Sequence, residues 1–206
     1  MNTLDAIYQR RSVRHFDPKV KLAVGEERTL LEAAIQSPTC YNIQHWRFVI
    51  IRDTQVRKQL RENFGYNQSQ FTDASLLILL TADTKAWQKQ PERYYANVPA
   101  QVRPALVGMI APYFDSKPWL ERDEAHRSLG IAAQTLMLAA KELDYDSCAM
   151  MGFDHDKVAE LVQLPADHVV GPFIAIGKAL AAAHAKPGQL PLKELVFENT
   201  FAPELA

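Results

Sequence analysis

Residues 10–16 read RRSVRHF, which places Arg10, Arg11, Ser12 and Arg14 within five positions. Guanidinium groups form paired hydrogen bonds with phosphate oxygens, and a serine hydroxyl adds another donor. If a helix continues through this segment, Arg10 and Arg14 lie one turn apart on the same face. The segment therefore predicts either an anion site or a charged turn exposed to solvent.

A second stretch, residues 37–50, reads SPTCYNIQHWRFVI and lies between a predicted helix and a predicted strand. It carries several small polar side chains, including Thr39, Asn42 and Gln44. Such groups can hydrogen-bond the donors and acceptors of a flat heterocycle. By itself, this pattern is also typical of an ordinary loop that leads into a strand with a core tryptophan.

The composition excludes several classes of protein. Of the 206 residues, 48% are hydrophobic and 23% charged, and the formal net charge is −1. This balance is typical of a globular domain and argues against a general binder of nucleic acids or membranes. The longest apolar run, LLILL, is too short to span a bilayer, and no secretory signal is visible. With only Cys40 and Cys148, we expect no disulfide framework and a cytoplasmic protein.

Helical and strand patterns alternate along the chain, which favours a layered α/β or α+β domain. The predicted strands are 47–53, 74–82, 147–153 and 168–179, and the longest predicted helix is 121–143. Between 84 and 122 the pattern weakens, and we expect short helices and loops. The small residues of the 121–143 helix would allow another element to approach closely. The apolar tail from Ala179 onward is expected to lie on a partner subunit.

Other catalytic chemistries lack support in the sequence. The six histidines are scattered without the spacing of a metal site, so no metal is predicted. There is no G-x-S-x-G motif for a serine nucleophile, and neither cysteine has the context of one. A G-x-G-x-x-G motif for a Rossmann dinucleotide site is also absent.

Taken together and in order, the motifs resemble those of the nitroreductase family of FMN-dependent oxidoreductases. RRSVRHF matches an R-x-S-x-R-x-F segment of that family, and SPTCYNIQHWRFVI matches an S-P-S-x-x-N-x-Q-P-W-x-F segment. Further similar stretches are NQSQFTDASLLILL (67–80), MMGFDHDKV (150–158) and VVGPFIAIGKA (169–179). The resemblance runs from about Met1 to Leu195 and is weakest across 84–122.

The resemblance implies an α+β fold in which helices flank a central, mostly antiparallel sheet. It implies a single FMN-binding domain over 1–206, with a variable excursion at about 84–122. A C-terminal extension at about 179–206 would embrace the partner of a homodimer, with FMN at the subunit interface.

By matching position, the resemblance also implies which residues bind FMN. The phosphate would be held by the arginine segment and, in the tail, by Lys186. The remaining residues would contact the flavin ring, and Gly152 would let the backbone approach near N5. The implied cofactor-binding residues are Arg10, Arg11, Ser12, Arg14, Thr39, Asn42, Gln44, Asn67, Gln70, Met151, Gly152 and Lys186.

Three positions depart from the family pattern. His45 stands where proline is usual, so the loop before the strand loses a rigid residue. Met151 replaces an acidic residue that many relatives carry before the glycine, which bears on the choice of substrate. Gln189 stands where arginine is frequent, which removes one cation from the predicted phosphate site.

The implied activity is a ping-pong transfer of hydride from NADH or NADPH, through the flavin, to an acceptor such as a nitroaromatic or a quinone. The flavin carries the redox chemistry, so no catalytic side chain is required. Two alternatives remain open. One is a flavoenzyme of the same superfamily with different chemistry, such as dehalogenation, flavin fragmentation or dehydrogenation. The other is a non-catalytic module that binds anions or nucleic acid.

Overall fold

A computed structural model of the chain describes residues 2–201, and its sheet is centred on a strand that is buried along its whole length. All neighbouring strands are antiparallel, in the order β1-β2-β4-β3. The strands of the described residues are Trp46–Ile50 (β1), Leu76–Asp83 (β2), Asp146–Met150 (β3) and His168–Gly177 (β4). The unbroken apolar run LLILL fits the central strand because helices cover both faces of the sheet. The expected α+β architecture is confirmed.

Helices cover both faces of this sheet. The α-helices of the described residues are Thr3–Gln9 (α1), Val24–Ala34 (α2), Thr54–Gln59 (α3), Gln70–Asp73 (α4), Arg103–Gly108 (α5), Ile110–Phe114 (α6), Pro118–Glu142 (α7) and His155–Leu161 (α8). A π-helical turn, Leu60–Phe64, follows α3 directly. No helix within residues 2–201 is long and apolar enough to cross a membrane.

Alternate residues of β2 enter two separate cores. Ile78 and Leu80 pack with α2 and α7 on one face, whereas Leu77 and Leu79 join the core on the face that carries α8. This division follows from the two-residue period of a strand.

The small residues of α7 lie against the chain's own sheet. Ala132, Ala133 and Ala140 are buried in the same core as Ile78 and Leu80. Gly130, in contrast, is exposed, and nothing lies within 4 Å of where its Cβ would be. The close approach predicted for this helix is therefore made by the sheet, and most of its small residues are not available to a second subunit.

The segment between β2 and α7 forms short helices, as predicted. They enclose a third apolar cluster, in which Ile110 and Phe114 of α6 pack with Tyr94 beneath Ile43 of the 39–44 loop. Trp87 stacks on Phe114 with ring centroids 5.4 Å apart. The long helix begins at Pro118, three residues before the predicted start, because proline is well accommodated in the first turn of a helix.

Candidate functional site

The arginine segment lies along the outer edge of β3. Ser12 pairs in parallel with Ser147, and the amide of Val13 donates to the carbonyl of Ser147 at 3.0 Å. Val13 and Phe16 are only 2% and 1% exposed and belong to the core that packs on α8. Burial of these two side chains leaves the polar side chains of the segment at the surface.

The helix does not continue to Arg10 and Arg14, so the condition for their helical spacing is not met. Helix α1 ends at Gln9, and Arg10 has extended backbone angles, with φ −54° and ψ 134°. The chain leaves the helix here because hydrogen bonding along β3 requires an extended segment. The arginines are nevertheless brought together, since they follow one another along a sheet edge.

These side chains line a cavity of about 480 Å³. Its other wall is the tail segment 184–189, which includes Lys186 and Gln189. The tail is fixed beside the arginine segment because the amide of Asp17 donates to Lys178 O and the amide of Leu180 donates to His15 O, both at 2.9 Å. Lys186 thus lines this cavity together with the arginines of its own chain. The tail does not need to cross to a partner subunit to bring Lys186 to these arginines.

Positive charge in this cavity is not neutralised by the protein. Arg10 and Arg14 make no side-chain hydrogen bond or ion pair with any residue from 2 to 201, and the cavity has no acidic lining residue in that range. The guanidinium of Arg11 instead donates to the carbonyl of Tyr8 at 2.7 Å. Two free guanidinium groups beside a lysine and a serine form a suitable site for a phosphate.

The 67–70 segment lies next to the arginines. Ser69 Oγ is 3.4 Å from the carbonyl of Arg14, and Asn67 is exposed with a positive φ of 57°. Arg61 Nε donates to Asn67 Oδ1 at 3.0 Å. Because a guanidinium can only donate, this contact leaves Asn67 Nδ2 as a free donor at the surface.

Gln70 is placed differently from Asn67. It is only 4% exposed, and its side chain lies beside the thiol of Cys148. Burial raises the pKa of the Cys148 thiol, and the neighbouring Gln70 side chain partly opposes the rise. The structure therefore directs Gln70 towards the core and does not present it at the surface beside Asn67.

The Met151–Gly152 turn is tied to the same region by Gln68, whose Nε2 donates to the carbonyls of Gly152 at 2.7 Å and Gly65 at 3.0 Å. A Cβ added to Gly152 would meet only that amide nitrogen, at 3.6 Å, which is an ordinary contact. No described residue therefore requires glycine here. Gln68 and Arg61 are not predictable from the sequence, since neither has a local signal and the Gln68 contact joins segments 84 residues apart.

Thr39, Asn42 and Gln44 lie elsewhere, in the loop before β1. Their polar groups hold the loop: Thr39 Oγ1 accepts from the amide of Gln44 at 3.0 Å, and Asn42 Nδ2 donates to Tyr94 O at 2.7 Å. Since β1 and β3 are opposite edges of the sheet, three strand spacings, or about 14 Å, separate them. One chain therefore splits the predicted residues into a β3-side group (Arg10–Arg14, Asn67, Met151, Gly152 and Lys186) and a β1-side group (Thr39, Asn42 and Gln44).

His45, the first departure from the family pattern, is completely buried. Its Nδ1 lies 3.0 Å from Ser128 Oγ, which donates its own hydrogen to Glu124 O at 2.8 Å. The hydrogen between the two side chains must therefore sit on Nδ1, and Nε2 carries a lone pair with no partner among residues 2–201. Burial lowers the pKa of His45 to about 4, so the ring is neutral at pH 7.

Asp83, Asp167 and His168 have oxygen and nitrogen atoms close enough together to hold a metal ion. Lys89 Nζ, however, bonds both carboxylates, at 2.8 Å to Asp83 and 2.6 Å to Asp167. The lysine ammonium supplies the positive charge that this cluster needs.

Known proteins resemble this chain in both sequence and structure. The family model described as Nitroreductase family matches residues 7–178. Protein DrgA of Synechocystis sp. is 59% identical over 201 residues, with 95% of each chain covered. YodC of Bacillus subtilis, assigned as an NAD(P)H nitroreductase, is 31% identical and covers 94% of this chain and 97% of its own. A protein of Exiguobacterium sibiricum, assigned as a nitroreductase and solved in complex with FMN, superposes with a TM-score of 0.88 at 27% identity, covering 96% and 97% of the two chains.

Burial of neutral His45 predicts loss of stability in mild acid. Its pKa is about 4 in the folded state and 6.5 in the unfolded chain, so the stabilisation is complete above pH 6.5 and is lost as the pH falls towards 4. Between about pH 7.5 and pH 5.0 the free energy of unfolding should fall by about 2 kcal/mol through this residue alone. Urea unfolding at both pH values measures the change.

His45→Asn is the matched variant, because its amide can still donate to Ser128 but does not titrate. Carboxylates titrate in the same range, so the difference between wild type and variant isolates His45. An identical pH dependence in both proteins would contradict the assignment.

Proposed function

This chain belongs to the nitroreductase family, and we propose that it is an FMN-dependent oxidoreductase that uses NAD(P)H to reduce an acceptor such as a nitroaromatic or a quinone. The family is enzymatic, and relatives assigned as NAD(P)H nitroreductases and a neighbouring structure with FMN support this activity. The observation that carries the proposal is the cavity at the β3 edge, where Arg10 and Arg14 have no charged partner among residues 2–201.

The residues of the β3-side group fit FMN. Arg10, Ser12, Arg14 and Lys186 would bind its phosphate, and Arg11 would contribute through its backbone, since its guanidinium is turned towards Tyr8. When bound, FMN supplies the redox chemistry: it accepts a hydride from the nicotinamide and gives electrons to the acceptor.

The other members of the group would contact the ring. Asn67 Nδ2, left free by Arg61, would donate to a carbonyl of the pyrimidine edge. The exposed Met151–Gly152 turn would bring backbone near N5, and no residue from 2 to 201 otherwise accounts for the glycine. Gln70 is buried beside Cys148 and would have to turn outward to reach the same ligand.

We further propose that the site is completed by a second copy of the chain. Thr39, Asn42 and Gln44 lie at the opposite sheet edge from the phosphate cavity, so a two-fold dimer would place the β1-side group of one subunit against the β3-side group of the other. The tail supports this arrangement, because six of its large apolar side chains are 48–85% exposed: Leu190, Leu192, Leu195, Val196, Phe197 and Phe201. Apolar groups in such number favour burial on a partner.

The proposed reaction is ping-pong, with the donor leaving before the acceptor binds to the same face of the flavin. No side chain is needed as an acid or base, and the protein would orient the two substrates in turn. Residues 1–206 would act as one domain, and we expect the enzyme to work in the cytoplasm.

The visible spectrum of the purified protein tests the activity most directly. We expect a yellow protein that releases about one FMN per chain on denaturation and that bleaches when NADH or NADPH is added without oxygen. Nitroaromatics or quinones should then restore the colour. A colourless protein that cannot be reconstituted would favour an anion-binding module, and a flavin that NAD(P)H does not reduce would favour other flavin chemistry.

Removal of one phosphate ligand should weaken FMN selectively. Arg14→Ala is expected to cost about 1.5–3 kcal/mol of FMN binding free energy, the range for a hydrogen bond to a charged group. Riboflavin lacks the phosphate, so its affinity for the two proteins should be nearly equal. Fluorescence titration measures both ligands, and an equal loss of affinity for both would show that Arg14 acts through folding.

Shortening the chain to end at Gln189 should separate the phosphate cavity from the dimer. This variant keeps Lys186 and Gln189 but loses the apolar part of the tail, so we expect a monomer that binds FMN at least about tenfold more weakly. Sedimentation velocity with flavin absorbance follows both properties. The control is a full-length variant with Phe197→Ser and Phe201→Ser, which removes apolar tail side chains without shortening the chain. A shortened monomer with unchanged FMN affinity would contradict the shared site.

A further inference from the structure

A second cationic cavity lies beside the β1-side group, at the opposite edge of the sheet from the phosphate cavity. It measures about 380 Å³ and is lined by Gln44, Trp46, Arg47, Arg93 and Tyr94. Among the described residues no acidic side chain lines it, so two arginines face a space that contains no negative charge.

Arg47 is held in place mainly by uncharged groups. Its Nη1 donates to the carbonyls of Trp46 at 2.7 Å and Gln44 at 3.1 Å. Asp83 lies 3.5 Å from Nη2, but the same carboxylate oxygen lies 2.8 Å from Lys89 Nζ. One carboxylate shared with a closer lysine leaves part of the arginine's charge uncompensated.

Arg93 has no acidic partner in the described part of the chain. Its Nη2 donates to the hydroxyl of Tyr94 at 3.0 Å, and its guanidinium carbon lies 5.0 Å from the centre of the Tyr94 ring. That hydroxyl donates onward to Ala86 O at 2.7 Å, which fixes the tyrosine. Neutral contacts therefore orient the guanidinium in advance and leave its charge for a ligand.

This cavity is connected to the loop proposed to contact the flavin. Tyr94 O accepts from Asn42 Nδ2 at 2.7 Å, and Gln44 lies in the cavity wall. A ligand bound by Arg47 and Arg93 would therefore lie next to the redox centre of the proposed dimer and outside the cavity that holds the FMN phosphate.

We propose that Arg47 and Arg93 bind the phosphate groups of the nicotinamide dinucleotide donor. This inference rests on the proposed function and assigns its donor subsite. Guanidinium groups match phosphate oxygens in paired hydrogen bonds, and two arginines together suit the pyrophosphate of NADH or NADPH. An acidic electron acceptor would offer similar oxygens, so the test must distinguish the two sources.

Steady-state kinetics with two hydride donors makes that distinction. NADH carries a pyrophosphate, whereas 1-benzyl-1,4-dihydronicotinamide carries the same reactive ring without any phosphate. Arg93→Gln is expected to lower kcat/KM for NADH about tenfold relative to kcat/KM for the benzyl donor. The deficit should shrink at high ionic strength, because salt screens the wild-type attraction.

Arg28→Gln is the matched control, since Arg28 is exposed on α2, forms an ion pair with Glu32 alone among residues 2–201, and lines neither cavity. The FMN content of each protein is measured first, so that loss of cofactor is not read as loss of the donor. Arg47→Gln should repeat the effect of Arg93→Gln.

Three other outcomes would each overturn the proposal. If the wild-type protein oxidises NADH normally and Arg93→Gln leaves the ratio of the two kcat/KM values unchanged, the donor subsite alone is refuted. A selective loss of kcat/KM for 4-nitrobenzoate, with nitrobenzene unaffected and the donor ratio unchanged, would assign the cavity to acidic acceptors. A wild-type protein that binds FMN but is not reduced by NADH or NADPH would refute the proposed function and this inference together.

Discussion

Burial of Val13 and Phe16 determines where the positive charge of this protein is displayed. Both side chains enter the core beneath β3, and full burial of an aromatic or branched side chain contributes about 1.5–3 kcal/mol. Phe16 can approach so closely because residue 177 is glycine: a Cβ there would lie 3.1 Å from Phe16 Cδ1. The energy of the core thus holds Arg10 and Arg14 at the surface without any ion pair within residues 2–201.

That constraint also explains why a single chain does not assemble the proposed site. The arginine segment is fixed to one edge of the sheet, and the 39–44 loop leads into the strand at the other edge. No movement short of unfolding the sheet brings the two edges together. The proposed two-fold dimer would solve this geometric problem at no cost to either core, because each subunit would present both groups and receive the complementary group from its partner.

Sequence patterns predicted the strands and the long helix, because their apolar periodicity reports burial directly. The buried run LLILL, which forms the centre of β2, is an example. The positions of the site residues could be obtained only through family resemblance. Contacts such as Gln68 with Gly152, or Tyr94 with Asn42, join distant segments and leave no periodic signal. The sequence left open whether the arginine segment continues the first helix, and pairing with the edge strand β3 decides against it.

The loop before β1 shows how a local departure from the family pattern can be accommodated. Tyr41, Asn42 and Gln44 all have positive φ values, near 50–56°, and each such non-glycine residue costs about 1–3 kcal/mol. A proline at position 45 would restrict the chain by fixing its own φ. His45 restricts it through complete burial and through the hydrogen bond from its Nδ1 to Ser128 on α7. The strained conformation is therefore stabilised by contacts with the core, and, unlike proline, those contacts depend on the histidine remaining neutral.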